Sequence, residues 1–164
     1  MRHPRASRFS GGFTMAELLT VVVIIGIMAA IVIPQAVSGS DVQALSGARM
    51  IAADLEYARD LSISLAKPIT VTFDTAAESY NLTNASQAII HPITKASTYA
   101  VNFKTTSGFS DADILTANFG GLSTVTFDET GAPDRNGQVT LQVKSHLYTI
   151  AVSPSTGKVT VTGS

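Results

Sequence analysis

Gly12-Phe13-Thr14-Met15-Ala16-Glu17-Leu18-Leu19 opens an apolar run that continues to Ile33 and ends at Pro34. Residues 18–33 hold no charge. At 1.5 Å per residue they make a helix roughly 24 Å long, short of the roughly 30 Å bilayer core. Including residues 13–17 brings the length to about 31 Å. A spanning helix therefore draws Glu17 toward the hydrocarbon. Upstream, residues 1–12 carry Arg2, Arg5 and Arg8 and no acid. A basic flank before the run keeps the N-terminus cytoplasmic and sends everything after Pro34 to the far side.

Composition agrees with this asymmetry. The 164 residues are 45% hydrophobic and 14% charged, with no cysteine and a net charge of −1. That length suits one domain with an appendage. A near-neutral chain sets up no global basic field for nucleic acid. Without cysteine there is no disulfide framework, thiolate metal site or cysteine nucleophile. The mean hydropathy of +0.27 is high for a soluble domain, and much of the excess lies in the N-terminal block.

Three ordinary readings apply to that block. A buried core helix rarely runs so long without charge. A secretory signal peptide fits the basic start, with Ala36-Val37-Ser38 as a poor cleavage site, but leaves Glu17 odd. A plain signal anchor explains neither Gly11-Gly12-Phe13 nor the carboxylate.

Residues 12–19, after a short basic leader and before an apolar helix, closely resemble the type IV prepilin signal of type IV pilins and type II secretion pseudopilins. The resemblance implies that prepilin peptidase cuts after Gly12 and methylates the new N-terminal residue, Phe13. It places the family's glutamate at Glu17, its internal glycine at Gly26 and its helix-kinking proline at Pro34. The motif covers about the first quarter of the chain.

Physical chemistry gives these residues work to do. Gly12 has no side chain, so the peptide there can lie extended in a narrow membrane-level active site. Thr14-x-x-Glu17 is also a capping box for a helix start. A carboxylate at membrane depth costs several kcal/mol unless paired or neutralised. In a bundle of related helices its partner is the α-amine freed at Phe13 of a neighbouring subunit. Such a pair matches only when one subunit is staggered against the next, which makes Glu17 a register device and not a catalytic acid. Gly26 permits close helix approach, and Pro34 removes a backbone donor and kinks the helix. The resemblance implies that the stretch between them extends during assembly.

Beyond Pro34, Ser38-Gly39-Ser40 reads as a hinge and Ser40-x-x-Gln43 as a second capping box, starting a helix near Asp41. Val42, Leu45, Ala48, Ala52, Leu55, Ala58, Ser62 and Leu65 follow three-and-four spacing, with Ile51 flanking, until Lys67-Pro68 stops the helix. From Ile69 the period becomes two. Strands are expected at 69–74, 80–82, 99–103, 125–127, 139–143, 147–152 and 159–161, with turns at Asn136-Gly137, Ser145-His146 and 153–157. The last four strands read as an antiparallel meander, apolar on one face and covered by the helix. Residues 85–98 and 105–120 show no clear period.

A second, looser resemblance lies here. Phe127-Asp-Glu-Thr-Gly-Ala-Pro133, Gly137-Gln-Val-Thr-Leu141 and Ile150-Ala-Val-Ser-Pro-Ser-Thr-Gly-Lys-Val159 look like the globular part of GspH/FimT-type proteins. These are minor pseudopilins of type II secretion and minor pilins of type IV pili. The resemblance implies a priming or tip role.

Candidate chemistry is sparse. His3, His91 and His146 stand at no ligand spacing, and Asp128, Glu129, Asp134 and Asn136 match no EF-hand, so neither metal nor cofactor is expected. No G-x-S-x-G, P-loop or dinucleotide fingerprint occurs, and no enzyme is expected. Some FimT-type pilins bind DNA through a basic Gly-Arg-x-Arg segment. Its counterpart, Gly157-Lys158-Val159-Thr160, keeps one cation, and phosphate binding needs several acting together. A hairpin turn is the preferred reading of Lys158, and DNA is not an expected partner.

The expectation is an α+β, pilin-like chain. Residues 1–12 are a cleaved leader, 13–38 a transmembrane and filament-core helix, 39–66 an amphipathic helix, and 67–164 a β-rich periplasmic domain. Expected partners are prepilin peptidase, other pilin or pseudopilin subunits, an assembly platform and inner-membrane lipid. The competing class is a signal-anchored periplasmic binding module with no filament role.

Overall fold

A computed structural model describes residues 12–32, 39–85 and 87–163. The chain divides into two compact units, residues 1–37 and 38–164. The first contains α1, Met15–Val32. Thr14 caps it, its Oγ1 accepting the Glu17 amide at 3.2 Å and its carbonyl accepting the Leu18 amide at 3.2 Å. The described α1 side chains from Met15 to Met28 are all exposed, whereas a helix apolar all round is one that ordinarily buries its surface in a core or a membrane. Among the described residues, no helix is long and apolar enough to cross a membrane. Residues 33–38, which include Pro34, lie outside the described residues.

The second unit begins with α2, Gly39–Leu65. Its buried residues are Ala44, Gly47, Ala48, Ile51, Leu55, Ala58 and Ser62. This stripe is rotated from the expected one. Ile51 lies at its centre, while Val42 and Leu65 are 55% and 48% exposed. The reason is close approach: a Cβ on Gly47 would stand 2.8 Å from the Leu141 side chain, so small residues set the contact line and larger ones flank it. The expected start at a Ser40–Gln43 cap is also displaced, because α2 already includes Gly39 and Ser40, and Gln43 Nε2 donates to the Gly108 carbonyl at 2.5 Å.

Nine strands follow among the described residues: β1 Ile69–Asp74, β2 Ser79–Asn84, β3 Gln87–Ala88, β4 Tyr99–Asn102, β5 Ala112–Phe119, β6 Thr124–Phe127, β7 Gly137–Val143, β8 His146–Val152 and β9 Val159–Gly163. They form two antiparallel sheets instead of one. The first runs β3-β2-β1-β6, with β4 also on β2; the second runs β5-β7-β8-β9.

The meander therefore loses one expected member and gains another. β6 leaves it to pair with β1, setting Ile69 opposite Phe127 and Val71 opposite Val125. β5, from the stretch without clear period, joins β7. A register shift between Ile114 and Thr116 moves the buried residues from Ala112 and Ile114 to Phe119, breaking strict alternation. His146 is likewise not in a turn but opens β8 opposite Val143; the turn is Lys144-Ser145.

The core lies between α2 and the two sheets. Phe73, Tyr80, Phe103, Phe119 and Phe127 fill it with Ile51, Leu55, Ile114, Leu141 and Ile150. Full burial of an aliphatic or Phe side chain of this size contributes about 1.5–3 kcal/mol.

Candidate functional site

The N-terminal segment holds most of the residues singled out by sequence. Gly12, Phe13 and Thr14 precede α1 without regular structure, and Phe13 is 80% exposed. Among the described residues, nothing beyond the chain neighbours lies within 4 Å of a Cβ built on Gly12. Glu17 is exposed in the first turn of α1, where a carboxylate opposes the positive end of the helix dipole. Its amide is taken by Thr14, as a capping box requires. Gly26 lies inside α1, and among the described residues nothing stands where its side chain would be.

Lys158 belongs to the β-rich unit. It is exposed just before β9, and its backbone closes the 153–158 turn: its amide donates to Thr156 Oγ1 at 3.3 Å and its carbonyl accepts from Ser153 at 3.0 Å. The acidic loop is spent on its own backbone. Asp128 Oδ1 accepts from Thr130 Oγ1 at 2.7 Å, Thr130 N at 2.8 Å and Ala132 N at 3.0 Å. These bonds, the Thr130 hydroxyl foremost, hold the Asp128 carboxyl below its ordinary value. Asp134 Oδ1 accepts the Thr126 amide at 2.9 Å. Among the described residues, no group of three or more His, Asp or Glu side chains is gathered for a metal ion.

Two polar arrangements escape a linear reading. Asp54 of α2 accepts the Tyr80 hydroxyl at 2.5 Å and the Tyr99 hydroxyl at 2.7 Å, tying the helix to β2 and β4. Burial raises the Asp54 carboxyl above its usual value despite these donors. Tyr99 also stacks on Tyr57 and on His91, with ring centroids 5.6 and 4.3 Å from its own. Elsewhere, the Arg59 stem packs where Gly131 and Gly157 meet. A Cβ on Gly131 would stand 3.1 Å from Arg59 Cγ, and one on Gly157 3.0 Å from Arg59 Cδ. Arg59 Nε is buried with no hydrogen-bond partner among the described residues. The repeated Thr130-Gly131 and Thr156-Gly157 pairs are the only linear trace of this junction.

A capped apolar helix, and a second helix laid over antiparallel sheets, make up an α+β fold of the pilin-like class. Residues 47–157 match the family described as type II transport protein GspH, and the chain belongs to that family. Membership of that family makes it a structural subunit and not an enzyme. The fold is similar to the type IV minor pilin FimU of Pseudomonas aeruginosa strain PAO1, at 16% identity and a TM-score of 0.50 over 73% of this chain and 87% of that one. A second crystal form of FimU aligns at 17% identity and a TM-score of 0.49, over 72% and 91%. No curated protein matches the chain in sequence.

Proposed function

We propose that the chain is a prepilin-like precursor whose leader, residues 1–12, is removed between Gly12 and Phe13 by prepilin peptidase, with methylation of Phe13. The observation that carries this is the Gly12-Phe13…Glu17 motif, set between a basic leader and an apolar helix. Membership of the GspH family supports it. In this reading α1 and the residues after it hold the subunit in the inner membrane, N-terminus cytoplasmic, with the β-rich unit in the periplasm. Assembly on an inner-membrane platform draws α1 into a filament core of pilin or pseudopilin helices. Glu17 pairs there with the Phe13 amine of the adjacent subunit, and Gly26 and Pro34 mark where the helix can extend. The filament is a type II secretion pseudopilus or a type IV pilus, which this chain primes or caps.

N-terminal sequencing and mass spectrometry of the protein from membranes test the reading. The expected result is a chain beginning at Phe13 and carrying one added methyl group. A start near Gly39 would instead identify a signal peptide, and an intact Met1 a plain anchor.

A further inference from the structure

Edge strands present unpaired backbone donors and acceptors, which folded domains blunt with short strands, bulges, charges or covering loops. Most edges here are blunted. β3 has two residues, and β4 has four, its Asn102 side-chain oxygen accepting the Lys104 and Thr105 amides at 2.9 and 3.2 Å. β6 is covered by the following loop: the Asp134 amide donates to the Thr126 carbonyl at 2.8 Å, and Asp134 Oδ1 accepts the Thr126 amide at 2.9 Å. β5 carries the register shift, and the Glu78 carboxylate caps its Ile114 amide. At its end, Phe119 and Leu122 exchange backbone bonds of 2.8 and 3.2 Å.

β9 has none of these devices. Val159-Thr160-Val161-Thr162-Gly163 contains no charge and no proline, and pairs with β8 without a register shift. Among the described residues, no group bonds to it from the side away from β8.

We propose that β9 is a pairing edge for a second copy of this chain. The two β9 strands run antiparallel about a two-fold axis through Val161 and join two four-stranded sheets into one of eight strands. The occupant follows from the other edges. A second copy offers β9 as its unblunted strand, so the contact is isologous. In that register Thr160 faces Thr162, a pairing that favours the sheet, Val161 faces Val161, and Val159 faces Gly163 at the ends of the ladder. Val159 and Val161 lie on the core-packed face, while Thr160 and Thr162 are exposed. A slip of one residue would set Thr160 against Val161 and throw the α2 helices to opposite faces. The two Lys158 side chains fall at opposite ends of the ladder, so no like charges oppose it. This inference does not rest on the filament reading.

Cysteine cross-linking of the full chain in detergent micelles reads out the register, because the chain has no thiol of its own. Directly opposed residues have Cα atoms about 4.5–5.5 Å apart, within disulfide reach. The expected result is rapid covalent dimerisation of V161C under mild oxidation. T160C alone should cross-link at least tenfold more slowly, and T160C mixed with T162C should restore the rate. Equal rates for V161C and T160C, as association through α1 alone would give, overturn the proposal. Independently, sedimentation of wild type should show a dimer that T160K/T162K loses while keeping its circular dichroism spectrum. A lysine variant as dimeric as wild type also overturns it.

Discussion

Gly157 adopts φ +62°, and a side chain there would bring its Cβ within 2.6 Å of the Gly131 carbonyl oxygen and 3.0 Å of Arg59 Cδ. The first neighbour is backbone and cannot swing away. G157A should therefore lose about 2–4 kcal/mol in chemical denaturation, combining left-handed strain with overpacking. A loss below about 0.5 kcal/mol, the usual range for a surface substitution, would mean the two loops do not meet over Arg59. Asp54 is the second sensitive residue. D54A strands two tyrosine hydroxyls beside α2, at about 1–3 kcal/mol for each that stays buried and unpaired. Its pH signature has a definite sign. The folded carboxyl sits above the ordinary value, so the unfolded chain loses this proton first. Its contribution is full below about pH 4 and is lost as pH rises through the folded value. D54N should remove that fall from the pH–stability curve. Tyr80 and Tyr99, both pushed up chiefly by burial, contribute stability that declines above about pH 10. Neither cluster was legible in sequence, because each gathers residues from separate segments that no local period connects.

At the scale of elements, α2 ends in a Schellman motif: the Lys67 amide bonds the Ser62 carbonyl at 3.2 Å and the Ala66 amide the Ile63 carbonyl at 3.3 Å. Ala66 takes φ +49°, a conformation that glycine adopts without cost. A66G should raise stability by about 0.5–1 kcal/mol, reversing the usual penalty of glycine in a helix; a lower melting temperature would count against the motif. For α1 the prediction concerns pairing between helices. E17A should still insert and be processed at Gly12–Phe13, yet fail to enter sheared filaments, and normal incorporation would refute Glu17 as a register device. Elements were readable where one linear pattern dictated them. The α1 cap rests on Thr14 and Glu17, three residues apart, and β7 alternates cleanly from Val139 to Val143. β5 was not readable, because its register shift at Leu115 spoils the period of two. Nor could alternation reveal that β6 pairs with β1, since period two specifies a strand and a face but not a neighbour.

For the whole molecule, averaging conceals two different objects. The proposed processing after Gly12 would remove Arg2, Arg5 and Arg8, leaving eight cations against twelve acids and a net charge of −4 in place of −1. The subunit so processed would be mildly acidic, with its apolar excess concentrated in α1. The buried core residues run from Ala44 to Val159, and all belong to the unit of residues 38–164. Hydrophobic stabilisation is proportional to area removed from water, and the described side chains of α1 remove little. Deleting residues 1–37 should therefore leave a fragment that unfolds in one cooperative transition. Its melting temperature should lie within about 2–4 °C of the full chain in detergent, equivalent to about 1 kcal/mol for a domain of this size. A fragment that melts broadly, or binds a hydrophobic dye before heating, would show that α1 contributes to the fold of the β-rich unit. The separation of an exchangeable assembly helix from a self-sufficient domain would then have to be abandoned.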